Sequence, residues 1–273
     1  MEYSVNGQVL RYSAEGETKP GSDICLVDHA QDLTAKTSWA AEGYSIEPFL
    51  ENGLYKIFQQ NAIALLFQCW RDGGLFLPHN FQPELYHRLV PDQQSHLRTV
   101  EHTKLLTTDR FPVDIRHIQD RISAVCSQDL IAKNPFDHQS VFHFRVIRPG
   151  SGDNNPLHRD VWLKDYSDCI NLYIPIAGSN TLSSLVLAPG SHHWKESRIE
   201  KSIGGALING QKFNVPAVTR IFGSYDLVRP DPKPNEVLVF SPYLIHGGAV
   251  NLNNDLTRIS IELRLWRRNS ELT

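Results

Sequence analysis

Residues 156–162 read Pro-Leu-His-Arg-Asp-Val-Trp and place two metal-ligand side chains, His158 and Asp160, one residue apart. On an extended strand, positions i and i+2 point to the same side. An imidazole and a carboxylate at this spacing can therefore converge on one ion, with Trp162 on that side as well. The chain around this stretch carries the same period of two. In residues 141–148, His143 and Arg145 alternate with Phe142, Phe144 and Val146. In residues 257–266, Arg258, Ser260, Glu262 and Arg264 alternate with Ile259, Ile261, Leu263 and Leu265. Such alternation marks strands with one face in an apolar layer and the other free to line a cavity. Residues 170–176, 183–188 and 236–240 are predicted as further strands, with Pro189-Gly190-Ser191 as a turn.

Ahead of residue 140 the period lengthens. Residues 1–12 alternate around Asn6-Gly7, a dipeptide suited to a tight hairpin turn, and a polar stretch, 14–23, follows. Pro48 at a first helical position and the spacing Leu54, Phe58, Ala62, Leu65, Cys69 predict an amphipathic helix that Gly73-Gly74 ends. A short strand is expected at 75–77 and a helical turn or two at 83–89. A second clear helix is expected at 113–131, where Ile115, Ile118, Ile122 and Val125 recur every three or four residues. The expected organisation is one domain over residues 1–273: a mixed helical part, 1–135, then a β core, 140–268. Within the core, residues 195–235 contain Gly204-Gly205, Asn209-Gly210 and, near their end, Pro230, Pro232 and Pro234. They form either a lid beside the cavity or an irregular connection.

Composition excludes several classes of function. A formal charge of −3 and a pI near 6.4 leave no basic excess with which to hold a nucleic acid. The four cysteines, Cys25, Cys69, Cys126 and Cys169, have neither disulfide-scaffold nor zinc-site spacing. The N-terminal residues do not read as a leader, and no apolar run is long enough to span a bilayer. The expectation is a cytoplasmic protein with no membrane partner.

A third ligand stands at His246, in Ser241-Pro242-Tyr243-Leu244-Ile245-His246-Gly247-Gly248, and Arg258 follows. Two histidines and one carboxylate on one face of a metal leave its other positions open, the facial arrangement of non-haem Fe(II) oxygenases. An arginine inside a barrel needs an anion, and its planar fork matches a carboxylate. The alternative for Arg258 is an outward surface ion pair. His192 and His193 compete as ligands but follow a Pro-Gly-Ser turn without a matching arginine, and are read as structural. Arg145 has no carboxylate within sequence reach and is a candidate to receive an anionic substrate group. His143 is a substrate donor or a satisfied barrel histidine, and Trp162 stacks on a substrate or packs in the core.

Taken in order, several segments resemble the phytanoyl-CoA dioxygenase-like family of Fe(II)/2-oxoglutarate oxygenases. These are His158-Arg159-Asp160, Asn171-Leu172-Tyr173-Ile174-Pro175-Ile176, Ala188-Pro189-Gly190-Ser191-His192, Phe240 to Gly247, and Arg258. The resemblance spans residues 140–266 and implies a mainly β fold, a double-stranded β-helix (jelly roll, cupin-like) packed against N-terminal helices. It further implies Fe(II) held by His158, Asp160 and His246, 2-oxoglutarate anchored by Arg258 with Asn171 nearby, and O₂ at the remaining position. The reaction implied is hydroxylation of a C–H bond, since the related halogenases lack the carboxylate that Asp160 supplies; desaturation and ring closure are its variants. Two departures stand out: Gly248 where relatives often carry Ser, for which Ser260 is a substitute, and Arg159 where Gln is frequent. Arg145, Arg159 and Trp162 are the candidate substrate contacts. With Lys195, Arg198, Lys201, Lys212 and Arg220 they point to a polar or anionic small molecule, unless those charges belong to a solvated loop. Two other readings use the same residues: a cupin-like metal-dependent isomerase or hydrolase, and a non-catalytic jelly-roll module that binds carbohydrate.

Overall fold

The computed structural model describes residues 1–28, 32–151, 155–163, 165–208, 211–248 and 250–268. Its central element is the strand Arg258–Arg267, which sits inside a seven-stranded antiparallel sheet. The order is Tyr44–Pro48, Glu236–Phe240, Cys169–Ala177, Arg258–Arg267, Val141–Ile147 and Leu106–Thr107, with Leu130–Ile131 pairing to the far end of the central strand. The alternation in the sequence sorts this sheet into two chemical faces. Ile259, Ile261, Leu263 and Leu265 join Phe142, Phe144, Ile170, Leu172 and Ile174 on one side. There they meet Phe58, Ala62 and Leu66 of the helix Asn52–Asp72 and Ile118 and Ile122 of the helix Ile115–Cys126. Each such fully buried aliphatic or aromatic side chain contributes about 1.5–3 kcal/mol through removal from water, so this layer holds the helices to the sheet. The opposite face carries Arg258, Ser260, Glu262 and Arg264, flanked by Arg145 and His143 on one neighbour and by Tyr173 and Asn171 on the other.

That polar face is covered by a much narrower layer. Val186–Leu187 pairs with His246–Gly247, and single bridges join His158 to His246 and Leu187 to Val228. The stretch 156–162 thus contributes one bridged residue, not a long strand. Val186–Leu187 is all that forms of the strand expected at 183–188, because Ser183 and Ser184 turn back to donate their N–H groups to the Asn180 carbonyl.

Several other expectations change. Pro48 ends the edge strand Tyr44–Pro48, and the first helix begins later, at Asn52; Gly73 caps it and Gly74 follows at φ +84°. Residues 75–77 form no strand, whereas 83–89 do form helical turns, Pro83–Leu85 and Tyr86–Leu89. A helix absent from the sequence reading, Gln93–Glu101, is capped by the Asp92 carboxylate, which accepts from Ser95 N–H. The helix expected at 113–131 is confined to Ile115–Cys126: Ser127 turns left-handed at φ +51° and frees Leu130–Ile131 to extend the sheet. The hairpin is present as Glu2–Val5 and Gln8–Arg11, with positive φ at Asn6 and Gly7.

The segment 195–235 is irregular only in part, at 222–235. Its strands Ile199–Ser202 and Val218–Ile221 pair with each other and with Thr18–Pro20, and Ala206–Ile208 pairs with Gln211–Phe213 and Ala14–Glu15. The polar stretch near the N-terminus supplies the third strand of each small sheet. The Asn209-Gly210 turn lies outside the described residues. Among the described residues, no helix is long and apolar enough to cross a membrane.

Candidate metal centre

The two layers enclose a cavity of about 580 Å³, counted out to its mouth, and His158, Asp160 and His246 line it together with Arg258, Asn171 and Ser260. Backbone geometry makes the triad converge. His158 and His246 exchange both backbone hydrogen bonds, at 2.8 and 2.9 Å, which sets their rings side by side with centroids 4.3 Å apart. Gly247, at φ +109°, permits this approach, since a Cβ there would fall 2.4 Å from the Pro156 carbonyl oxygen and 3.0 Å from His158 Nδ1. Arg159 is extended, so Asp160 falls on the side of His158, as the spacing predicts. Beyond it the backbone of Asp160–Trp162 tightens into a 3₁₀ turn, and Trp162 swings away.

One ligand atom from each of the three buried residues lies within 4.8 Å of the others. Asp160 Oδ1 is 3.3 Å from His158 Nε2 and 3.6 Å from His246 Nε2. The tautomers follow from the partners: Nδ1 of His158 lies 2.8 Å from the Pro156 carbonyl and Nδ1 of His246 lies 3.0 Å from the Leu244 carbonyl. A carbonyl oxygen only accepts, so both Nδ1 atoms carry the proton and both Nε2 lone pairs face the cavity. Burial, with His158 alongside, lowers the His246 imidazole to about 4. Burial pushes the Asp160 carboxyl up, but the Arg264 guanidinium and the two imidazoles outweigh it and hold it well below the ordinary carboxylate range. At neutral pH the set offers one anion and an uncharged His246, a donor set that suits a divalent first-row metal with open positions.

Deeper in the cavity, Arg258 is only 3 % exposed. Its Nη1 donates to the Ser183 carbonyl at 3.3 Å, its Nε has no hydrogen-bond partner, and no carboxylate is in ion-pair range of it among the described residues. Ser260 Oγ and both side-chain polar atoms of Asn171 are likewise buried without partners. Arg258 and Ser260 lie two residues apart on one strand face, while Asn171 stands opposite Arg264, nearer Asp160; unpartnered polar groups along one cavity describe a site built for a ligand that brings acceptors. A side chain at Gly248 is disfavoured, because a Cβ there would lie 2.7 Å from the Tyr3 hydroxyl, which donates to the Gly248 carbonyl.

Of the three candidate substrate contacts, Arg145 lines the cavity and Arg159 and Trp162 are not among its lining residues. Arg145 is not free: Glu262, 117 residues away in sequence, lies across the strand pair, 2.5 Å from its Nε. Arg159 is fully buried and points away from the cavity, with Nη1 3.1 Å from Glu196 Oε1 and Nη2 donating to the Ser191 carbonyl at 2.7 Å. Trp162 donates from Nε1 to the same glutamate at 2.9 Å and lies under Lys201 Nζ. His192 and His193 stack on each other and reach the Ala40 carbonyl, outside the cavity. Two lining residues were visible in the sequence only as members of an alternating strand, Glu262 and Arg264; their further partners, Arg145 and Asp160, are distant in the chain.

Two histidines, His192 buried and His143 half-buried, make stability acid-sensitive. His143 and His192 are each lowered by burial to about 4, against about 6.5 when unfolded. Below pH 6.5 the unfolded chain takes up protons that the folded one refuses. Stability is therefore full above that pH and is lost between 6.5 and 4, on the order of 3 kcal/mol for each residue. The urea midpoint of the metal-free protein should fall steeply between pH 7.5 and pH 5; an unchanged midpoint would contradict the burial of these rings.

No protein-family model matches the chain, and no curated protein matches it. Among solved structures it is similar to AviO1 from Streptomyces viridochromogenes Tue57, with 14% identity over 88% of this chain and 95% of that one and a TM-score of 0.50. Weaker superpositions include the non-heme monooxygenase ThoJ (13% identity, 86% and 77% covered, TM-score 0.49). The non-heme alpha ketoglutarate dependent epimerase SnoN from nogalamycin biosynthesis superposes at a TM-score of 0.45, with 10% identity and 89% and 85% covered. At these identities what is shared is architecture: the chain has the overall fold of AviO1.

Proposed function

We propose that the chain is a non-haem Fe(II)- and 2-oxoglutarate-dependent oxygenase built on a double-stranded β-helix, as the resemblance to phytanoyl-CoA dioxygenase-like proteins implies. The observation that carries this is the pairing of an open His-Asp-His set with a buried, carboxylate-free guanidinium in the same cavity. His158, Asp160 and His246 would hold Fe(II), Arg258 with Ser260 would hold the distal carboxylate of 2-oxoglutarate, and Asn171, opposite Arg264 in the strand pairing, would meet the co-substrate nearer the metal. The orphaned Arg258 N–H and Ser260 hydroxyl are donors of the kind a carboxylate accepts. Bound there, the iron and its co-substrate would supply O₂ activation coupled to decarboxylation, and with it hydroxylation of a C–H bond.

The chain's own contribution is placement. The Nδ1–H bonds to Pro156 and Leu244 fix both imidazoles, and Arg258 aligns the co-substrate from the far end of its strand face. The aliphatic and aromatic wall formed by Leu185, Phe240 and Tyr173 keeps water from the reacting end. The substrate we infer is a small polar molecule. The remaining charges lining the cavity, Arg145, Glu262, Arg264 and Asp160, are paired with one another, which favours an uncharged substrate over the anion suggested by an unpaired Arg145.

Purified protein supplied with Fe(II), ascorbate and 2-oxoglutarate in air should form succinate, and His246→Ala should abolish it. Metal-dependent turnover of other substrates without succinate formation would instead support the cupin-like isomerase or hydrolase. Carbohydrate binding that survives His158→Ala would support the binding module.

A further inference from the structure

We propose that Arg264 is the positioning residue of this metal centre, braced by Glu262 and through it by Arg145; the inference rests on the reading of His158, Asp160 and His246 as metal ligands. Arg264 donates from Nε and Nη2 to a single oxygen of Asp160, Oδ2, at 3.1 and 3.0 Å. The other oxygen, Oδ1, is the one that faces both imidazoles. A carboxylate gripped this way offers one ligand atom, not two, and cannot rotate to chelate. One coordination position that a bidentate carboxylate would fill stays open for a co-substrate or O₂.

A lone guanidinium beside a ligand would also repel the dication. The strand corrects for this: Glu262, two residues away on the same face, sets Oε1 2.6 Å from Arg264 Nη2, and its Oε2 takes Arg145 Nε at 2.5 Å. The result is a row of alternating charge, Arg145, Glu262, Arg264, Asp160, whose formal charges cancel. It runs along the cavity floor from the strand Val141–Ile147 to the ligand loop. Arg264 is thus held at both ends, and the field at the metal is that of a neutral chain ending in one carboxylate oxygen. The Tyr166 ring, 4.7 Å from the Arg264 guanidinium, closes the side not occupied by carboxylates.

The test uses cobalt(II) alone as the probe, read by the d–d absorption that reports its coordination number. Wild type should bind one equivalent. Arg264→Gln should weaken binding by about 10–100-fold, the usual consequence of losing an outer-shell partner, and alter the spectrum as Asp160 is released. Arg264→Lys, which restores one charged donor, should recover most of the affinity but not the wild-type spectrum. Glu262→Gln, which leaves Arg264 and the local volume in place, should weaken binding severalfold and carries the test if Arg264→Gln does not fold. A purely structural arginine would lower the urea midpoint while leaving affinity and spectrum of the folded variants at wild-type values, and that result overturns the proposal. Failure of wild type to bind cobalt(II) would instead remove the metal-centre reading, and this inference with it.

Discussion

Replacing Arg258 by alanine is expected to raise the dissociation constant for 2-oxoglutarate by on the order of 10²–10³-fold, while leaving the affinity for metal alone close to wild type. Truncating one member of a buried, hydrogen-bonded charge pair costs about 2–5 kcal/mol, and each 1.4 kcal/mol is a factor of ten in affinity. Arg258 fits that case: it is 3 % exposed, its Nε is unpartnered, and Ser260 two residues along the same face cannot supply a counter-charge. Arg258→Lys should recover only part of the loss, because a single ammonium does not reproduce the planar fork. Equilibrium titration of the Fe(II)-loaded protein under nitrogen checks both variants. A change of less than threefold in Arg258→Ala would take this residue out of the co-substrate site.

A second large effect lies on the other side of the ligand loop. Glu196 is 4 % exposed and serves three partners at once: Arg159 Nη1 at 3.1 Å, Lys201 Nζ at 3.0 Å and Trp162 Nε1 at 2.9 Å. Burial lowers the Arg159 pKa and the neighbouring Glu196 charge works against that. Glu196→Ala should therefore destabilise the fold by about 3–5 kcal/mol, since it strands a fully buried guanidinium; an exposed ion pair would be worth about 1 kcal/mol or less. Urea unfolding at pH 7.5 measures the difference. Glu196→Gln, which keeps volume and one acceptor, should lose less. A loss under 1 kcal/mol for the alanine variant would show that Arg159 relaxes to water. Because Arg159 lies between His158 and Asp160, the same variant should also loosen the ligand loop.

The contrast between these two arginines shows what a sequence discloses. Arg258 could be placed because a strand's period of two fixes which side chains share a face, and four consecutive polar–hydrophobic pairs leave one solution. The spacing of His158 and Asp160 was legible for the same reason, but only up to Asp160, where the backbone turns and the side of Trp162 no longer follows from counting. Arg159 and Arg145 could not be placed, since what decides their direction is a carboxylate brought near by pairing of distant segments: Glu196 in one case and Glu262 in the other. The narrow covering layer was hidden because bridges of one or two residues carry no periodicity. The helix Gln93–Glu101 buries only His96, Thr99 and Val100, too polar a stripe to register as amphipathic, although Asp92 three residues before Ser95 was a usable capping signal.

The most direct test of the account is an anaerobic titration of the wild-type protein with Fe(II) and then 2-oxoglutarate, followed by visible absorption. If His158, Asp160 and His246 hold iron with positions open and Arg258 seats the diacid beside it, a metal-to-ligand charge-transfer band should grow and saturate at one equivalent of each. No band in folded protein, or a band that persists unchanged when Asp160 and His246 are both replaced by alanine, would contradict it.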